Sequence, residues 1–186
     1  MAIDDQLMLA KDHASNADGT LPSKGWKVLI VDDEEEIHVV TRLALHDFSF
    51  GGRHLEFMSA YSASEAKELI RDNPDIAIIL LDVVMETDNA GLDVAQYIRQ
   101  EVGNHFVRII LRTGQPGLAP ERRVLKVYDI NDYRAKTELT QDRLFSVIYT
   151  ALSSYRDLIS LARSRHQLIG LVNEVEQVSH LVARDL

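Results

Sequence analysis

From Trp26 onward, short apolar runs alternate with segments of helical spacing, and that alternation leaves few folds open. Lys27–Val31, Leu55–Ala60, Ile76–Leu81, Val107–Leu111 and the weaker Ile130–Arg134 read as strands. Runs such as Ile76–Leu81, apolar at every position, belong to strands buried on both faces, and so to a parallel sheet covered by helices. The intervening segments supply the helices. Glu34–His46 places Ile37, Val40, Leu43 and Ala44 on one side. Ser62 opens a helix to about Asp72 through a capping box with Glu65, and Pro74 marks the break after it. Gly91–Glu101 turns Leu92, Ala95 and Ile98 inward, and Glu121–Tyr128 predicts a short helix after the loop of residues 114–120. Five β–α units predict an α/β protein with a flavodoxin-like, doubly wound, five-stranded parallel sheet.

The last helix, capped by Thr140, does not stop on schedule. Leu144, Val147, Ala151, Ser154, Leu158, Leu161, Arg165, Leu168, Val172, Val175, Ser179 and Val182 recur at spacings of three and four, and nine of the twelve are apolar. That is a heptad seam, which predicts extension of the last helix into a coiled coil. Its first part must pack on the sheet, leaving the portion after about Ser153 to pair with a second chain. The expected organisation is a flexible N-terminal arm over residues 1–25, a domain over 26–152 and a helical extension over 153–186. The helical pattern is unfinished at Leu186, with no glycine or proline stop, so an output domain beyond it is expected.

The candidate chemistry sits where the strands end. VLIVDDEE carries Asp32 and Asp33, IILLDVVM carries Asp82, IILRTG carries Thr113 and YRAKT carries Lys136. An open parallel sheet binds its ligand at the carboxyl ends of its strands, so these residues converge. Three carboxylates at close quarters repel one another, and a hard divalent cation relieves the repulsion. Oxygen-only ligation suits Mg²⁺. A carboxylate beside Mg²⁺ can attack phosphorus and form an aspartyl phosphate. Asp82 ends the most apolar run and is the nucleophile candidate, Asp32 and Asp33 are the metal ligands, and Thr113 and Lys136 meet the oxygens of the transferring group.

Taken together, these segments resemble the receiver domain of two-component response regulators, over roughly residues 26–152. The resemblance implies that a histidine kinase or phosphotransfer protein donates phosphate to Asp82. It implies Mg²⁺ held by Asp32, Asp33, Asp82 and the backbone carbonyl of Val84. Tyr133, three residues before Lys136, would swing inward as Thr113 is drawn to the phosphate. The surface of the fourth helix, fifth strand and last helix would then change, and the coiled coil of a homodimer would carry the signal onward. SAYSASEA, DVVMETDNAGL, RIILRTGQPG and DINDYRAKTELT are similar to the subfamily found ahead of cyclic-di-GMP phosphodiesterases of the HD type. Two positions depart from the family. Thr137 stands where proline usually follows the lysine, which leaves a trans bond or a non-proline cis bond open. Glu86 replaces a proline, and with Asp88 it adds negative charge near the site.

Rival readings are weaker. A haloacid-type phosphatase needs a second aspartate two residues after the nucleophile, where Val84 stands. A constitutive dimerisation module that is never phosphorylated would not need the complete acidic, hydroxyl and lysine set. The chain is therefore expected to act as a phosphoacceptor, and not as an enzyme on other substrates. A net charge of −9 disfavours a nucleic-acid partner, and no apolar run approaches the ~18 residues of a membrane span. Without cysteine there is neither a disulfide framework nor a thiolate metal site. No signal pattern opens the sequence, and the expected compartment is the cytoplasm.

Overall fold

The structure is a computed structural model that describes residues 24–114, 126–138 and 140–184. In chain order its elements are β1 (Trp26–Val31), α1 (Glu35–Ala44), β2 (Ser49–Phe50), β3 (Arg53–Ala60), α2 (Ala63–Asp72) and β4 (Ile78–Asp82). There follow α3 (Ala90–Gln96), running into a π-helical turn at Tyr97–Glu101, then β5 (Arg108–Thr113), β6 (Asp132–Ala135), a 3-10 turn at Lys136–Glu138 and α4 (Gln141–Arg184). The expected N-terminal arm and most of the helix expected over Glu121–Tyr128 lie outside the described residues. Two compact units part after Tyr155.

The sheet order is β2-β3-β1-β4-β5-β6. All pairs are parallel except β2–β3. The five parallel strands thus follow the doubly wound order, with the winding direction reversing between β1 and β4. The sixth strand is an addition to the sequence reading. Gly51 and Gly52, at φ 59 and 74, make a two-residue turn that folds Ser49–Phe50 back onto Arg53–His54. Both turn positions require positive φ, which glycine alone adopts without strain.

Side-chain alternation along each strand builds two cores. Leu29, Val31, Ile79, Leu81, Ile109 and Leu111 pack on one face with Ala66 and Ile70 of α2, Leu92, Val94 and Ala95 of α3, and Ile98 of the π-helical turn. Val28, Ile30, Ile78, Leu80 and Ile110 pack on the other with Leu45, Phe48, Phe50 and with Leu144, Ile148 and Leu152 of α4. An aromatic chain lies under this second layer. Tyr155 meets Trp26 edge-on with ring centroids 6.2 Å apart, Trp26 meets Phe50 at 5.9 Å, and Phe50 meets Tyr149 at 5.1 Å.

The face predicted for α1 requires correction. Val40 and Leu43 are 62% and 68% exposed, while His38 and Thr41 are buried. Periodicity ranks side chains by hydropathy alone, yet a polar group buries readily once its hydrogen bonds are met. His38 Nε2 lies 2.8 Å from the carbonyl oxygen of Asp32, and Nδ1 lies 2.8 Å from the Ser59 hydroxyl. A carbonyl can only accept, so in the neutral ring Nε2 carries the proton and Nδ1 accepts from Ser59. Thr41 accepts from Arg112 at 3.1 Å.

The predicted capping at α2 is present, with a shift in its return bond. Glu65 N–H donates to Ser62 Oγ at 3.2 Å, and the Glu65 carboxylate accepts from Tyr61 N–H at 2.7 Å. In the π-helical turn, Arg99 is buried and ties three backbone segments together. It donates to the carbonyls of Asn104 at 2.6 Å, Val107 at 3.0 Å and Asp129 at 3.0 Å. Burial lowers its pKa to about 10, against the opposing pull of Asp129. Replacing Arg99 by leucine strands these acceptors, and urea denaturation should show a loss of about 3–5 kcal/mol.

Candidate functional site

The reversal of winding between β1 and β4 opens a crevice at the strand ends, and the predicted residues meet there. Asp32 follows β1, Asp82 ends β4, Thr113 ends β5 and Lys136 follows β6. Parallel register sets their levels, with Val31 beside Leu81, Asp82 beside Arg112 and Thr113 beside Ala135. Asp32, Asp82 and Thr113 are buried. Asp33 is exposed.

Lys136 organises the charges. Its Nζ lies 2.9 Å from Asp82 Oδ2, 3.2 Å from Asp32 Oδ2 and 2.8 Å from Glu34 Oε1. Burial works against the Lys136 ammonium, but hydrogen bonds to Glu34 and Asp82 and the charges of Asp82 and Asp32 outweigh it, holding the group above its ordinary value. For Asp82 burial is the larger effect. It raises the carboxyl above its usual range, the Asp32 charge adds to it, and Lys136 only partly offsets the two.

Carboxylate oxygens of Asp32, Asp33, Glu34 and Asp82 lie within 4.8 Å of one another. Among the described residues, Asp32 Oδ2 and Asp82 Oδ1, both buried, have no hydrogen-bond partner. A buried acceptor without a hydrogen bond is costly, and a hard cation is the group that satisfies several such oxygens at once. The donor set therefore fits a divalent ion of the Mg²⁺ type.

Glu86 is engaged elsewhere. Its carboxylate accepts from Ala63 N–H at 2.9 Å, at the first turn of α2, where a negative charge meets the positive end of the helix. Gly91 lies against the back of the site. Its N–H donates to the Val83 carbonyl at 3.1 Å, and a Cβ on it would stand 1.8 Å from the Asp82 carbonyl oxygen.

No protein-family model matches the chain. Among curated proteins, the 3′3′-cGAMP-specific phosphodiesterase 2 of Vibrio cholerae serotype O1 is 50% identical over 151 residues, covering 81% of this chain and 28% of that protein. The chain thus spans less than a third of the length of this relative. Among solved structures, a response regulator receiver domain from Clostridium thermocellum superimposes with a TM-score of 0.59 at 22% identity, covering 72% of this chain and 98% of the other. The signal receiver domain of an HD domain-containing protein from Pseudomonas fluorescens Pf-5 gives 0.59 at 20% identity, with the same coverages of 72% and 98%. This chain has the receiver fold of two-component response regulators.

Several residues of this site escaped the sequence reading. Glu34 joins the carboxylate group and holds Lys136. Its place directly after the acidic pair was the available signal. Arg112 lies behind Asp32, with Nη2 at 3.6 Å from Asp32 Oδ2. An arginine directly after the apolar run Ile109–Leu111 was a signal too, since unpaired charge is seldom buried. His38 and Thr41 had no such signal, because their partners are distant in sequence. Where most receivers carry proline after the lysine, the Lys136–Thr137 bond is trans, as are all peptide bonds of the described residues. Tyr133, on β6, is half-buried and packs against the α2–α3 side of the core.

Proposed function

We propose that this receiver is a phosphorylation-controlled switch, with Asp82 as the phosphoacceptor. One observation carries the reading: Lys136 Nζ reaches Asp82 and Asp32 at 2.9 and 3.2 Å, at the point where the sheet reverses its winding. Asp32, Asp33, Asp82 and the Val84 carbonyl would hold Mg²⁺, which when bound neutralises charge on the phosphoryl oxygens. The donor is a histidine kinase or phosphotransfer protein. An Asp82 carboxylate oxygen forms the new bond to phosphorus, the P–N bond to the donor imidazole breaks, and its electron pair leaves with the nitrogen. Lys136 turns from the carboxylate to a phosphoryl oxygen, Thr113 donates its hydroxyl to another, and Tyr133 follows Thr113 inward. The chain is then a phosphoacceptor rather than an enzyme acting on other substrates.

In this reading residues 26–152 are the switch, placed in the cytoplasm, and 153–186 are the helical extension that links it to an output domain. The change reaches the surface of β6, the start of α4 and the helix expected before β6 from the sequence, and passes along a coiled coil in a homodimer. Leu161 and Leu168 support a second chain on α4, being 68% and 62% exposed in one copy. The Leu161→Lys, Leu168→Lys double variant should be monomeric by light scattering at concentrations where the native chain is a dimer. The identity shared with a 3′3′-cGAMP-specific phosphodiesterase supports an output in cyclic-dinucleotide turnover. None of the described helices is long and apolar enough to cross a membrane.

The test is incubation with acetyl phosphate and MgCl₂. A single hydroxylamine-sensitive phosphoryl group should appear by intact mass, and EDTA should prevent it. Labelling that persists in EDTA, or none in magnesium, refutes the reading.

A further inference from the structure

Arg112 is not used by the chemistry just described, yet its guanidinium is buried beside that chemistry. Its side chain is only 4% exposed. Strand alternation places Arg112 on the Ile110 side of β5, the face covered by α1 and α4. Nη1 donates to Thr41 Oγ1 at 3.1 Å, while Nε and Nη2 donate no hydrogen bond among the described residues. Leaving such donors unmet inside a protein costs stability, so something else must hold this cation in place. That something is Asp32, whose carboxylate is fully buried with Oδ2 at 3.6 Å from Nη2. Asp32 therefore stands between two cations, Lys136 on the open side and Arg112 behind.

We propose that Arg112 is a positioning residue, a resident counter-ion that holds Asp32 from within the fold and weakens the pocket's grip on a divalent cation. The proposal rests on the reading of this site as a magnesium-dependent phosphoacceptor. A carboxylate already facing a fixed positive charge attracts a second one less, and at such short range inside a protein little solvent screens the effect. The counter-ion keeps Asp32 oriented before any metal arrives. In return, the metal binds less tightly and exchanges more readily between rounds of phosphorylation. A purely structural Arg112, serving only to tether β5 to α1 through Thr41, would leave metal affinity untouched.

The experiment is a calorimetric titration of MgCl₂ into the full chain and four variants, with circular dichroism to confirm folding. Arg112→Met and Arg112→Gln both remove the charge, and either one that folds decides the matter. Each should bind Mg²⁺ about tenfold more tightly than native, and Mg²⁺ should raise its melting temperature by more. Arg112→Lys keeps the charge and should stay within about threefold of native. Thr41→Val breaks the tether but keeps the charge, and should do the same. Neutral variants that bind Mg²⁺ no more tightly than native, or an Arg112→Lys variant that matches them, overturn the proposal while leaving the phosphoacceptor reading intact. A native chain that binds no Mg²⁺ overturns both.

Discussion

Replacing Asp82 by asparagine should abolish phosphoryl labelling and, at neutral pH, make the unlabelled domain more stable. The loss follows from the chemistry, because an amide oxygen is not a nucleophile toward phosphorus and the remaining carboxylates of the group are the proposed metal ligands or exposed. The gain follows from burial. In the fold, burial and the Asp32 charge lift the Asp82 carboxyl above its ordinary range despite Lys136. The native state therefore binds this proton more tightly than the unfolded chain does. Its favourable contribution is complete below the unfolded value and disappears as pH rises through the folded one. At neutral pH the ionised Asp82 is thus a net burden, which asparagine removes while Lys136 keeps Asp32 and Glu34. Thermal melts at pH 7 and pH 4 check this: the variant's advantage should shrink at the lower pH. Persistent labelling would name another acceptor. A lower melting temperature at pH 7 would mean that the Lys136–Asp82 pair outweighs the repulsion.

Gly91→Ala should be the most damaging single-methyl change near the site. A Cβ would stand 1.8 Å from the Asp82 carbonyl oxygen and 3.0 Å from the Val83 Cα, all backbone. No flexible side chain can swing aside, so β4 or the start of α3 must move. Forcing a methyl group into a well-packed site costs up to about 3 kcal/mol, and a backbone obstacle places this variant at or above that level. The site suffers separately, since the strand end that must move carries Asp82 and leads to Val84. Among folded molecules the labelling rate in acetyl phosphate should fall, and raising MgCl₂ should restore only part of it. Gly25 makes a useful control. Its Cβ would meet only the Glu56 side chain, which can turn away, so Gly25→Ala should be mild. A Gly91→Ala protein with native stability and native labelling would show that the approach of α3 to β4 is looser than these distances imply.

Much of this protein was legible from residue order because its strongest signals are local. A run such as Ile78–Leu81, apolar at every position, reads as a strand buried on both faces, and five strand-like runs alternating with helices predict a doubly wound parallel sheet. In that topology the residues ending the runs must meet, which is why Asp32, Asp82, Thr113 and Lys136 could be assigned to one pocket in advance. The short β2 strand escaped because two residues carry no periodicity, although Gly51–Gly52 marked its turn.

What remained was decided by contacts between residues far apart in the chain. The inward face of α1 turns on His38 and Thr41, whose partners lie just after β1 and on β3 and β5. The task of Glu86 turns on the first turn of α2. The charge behind Asp32 comes from Arg112, 80 positions later. Hydropathy spacing reports which side chains avoid water. It carries no information on which buried polar group will find a partner, because that partner is supplied only once the sheet has brought distant strands to the same level.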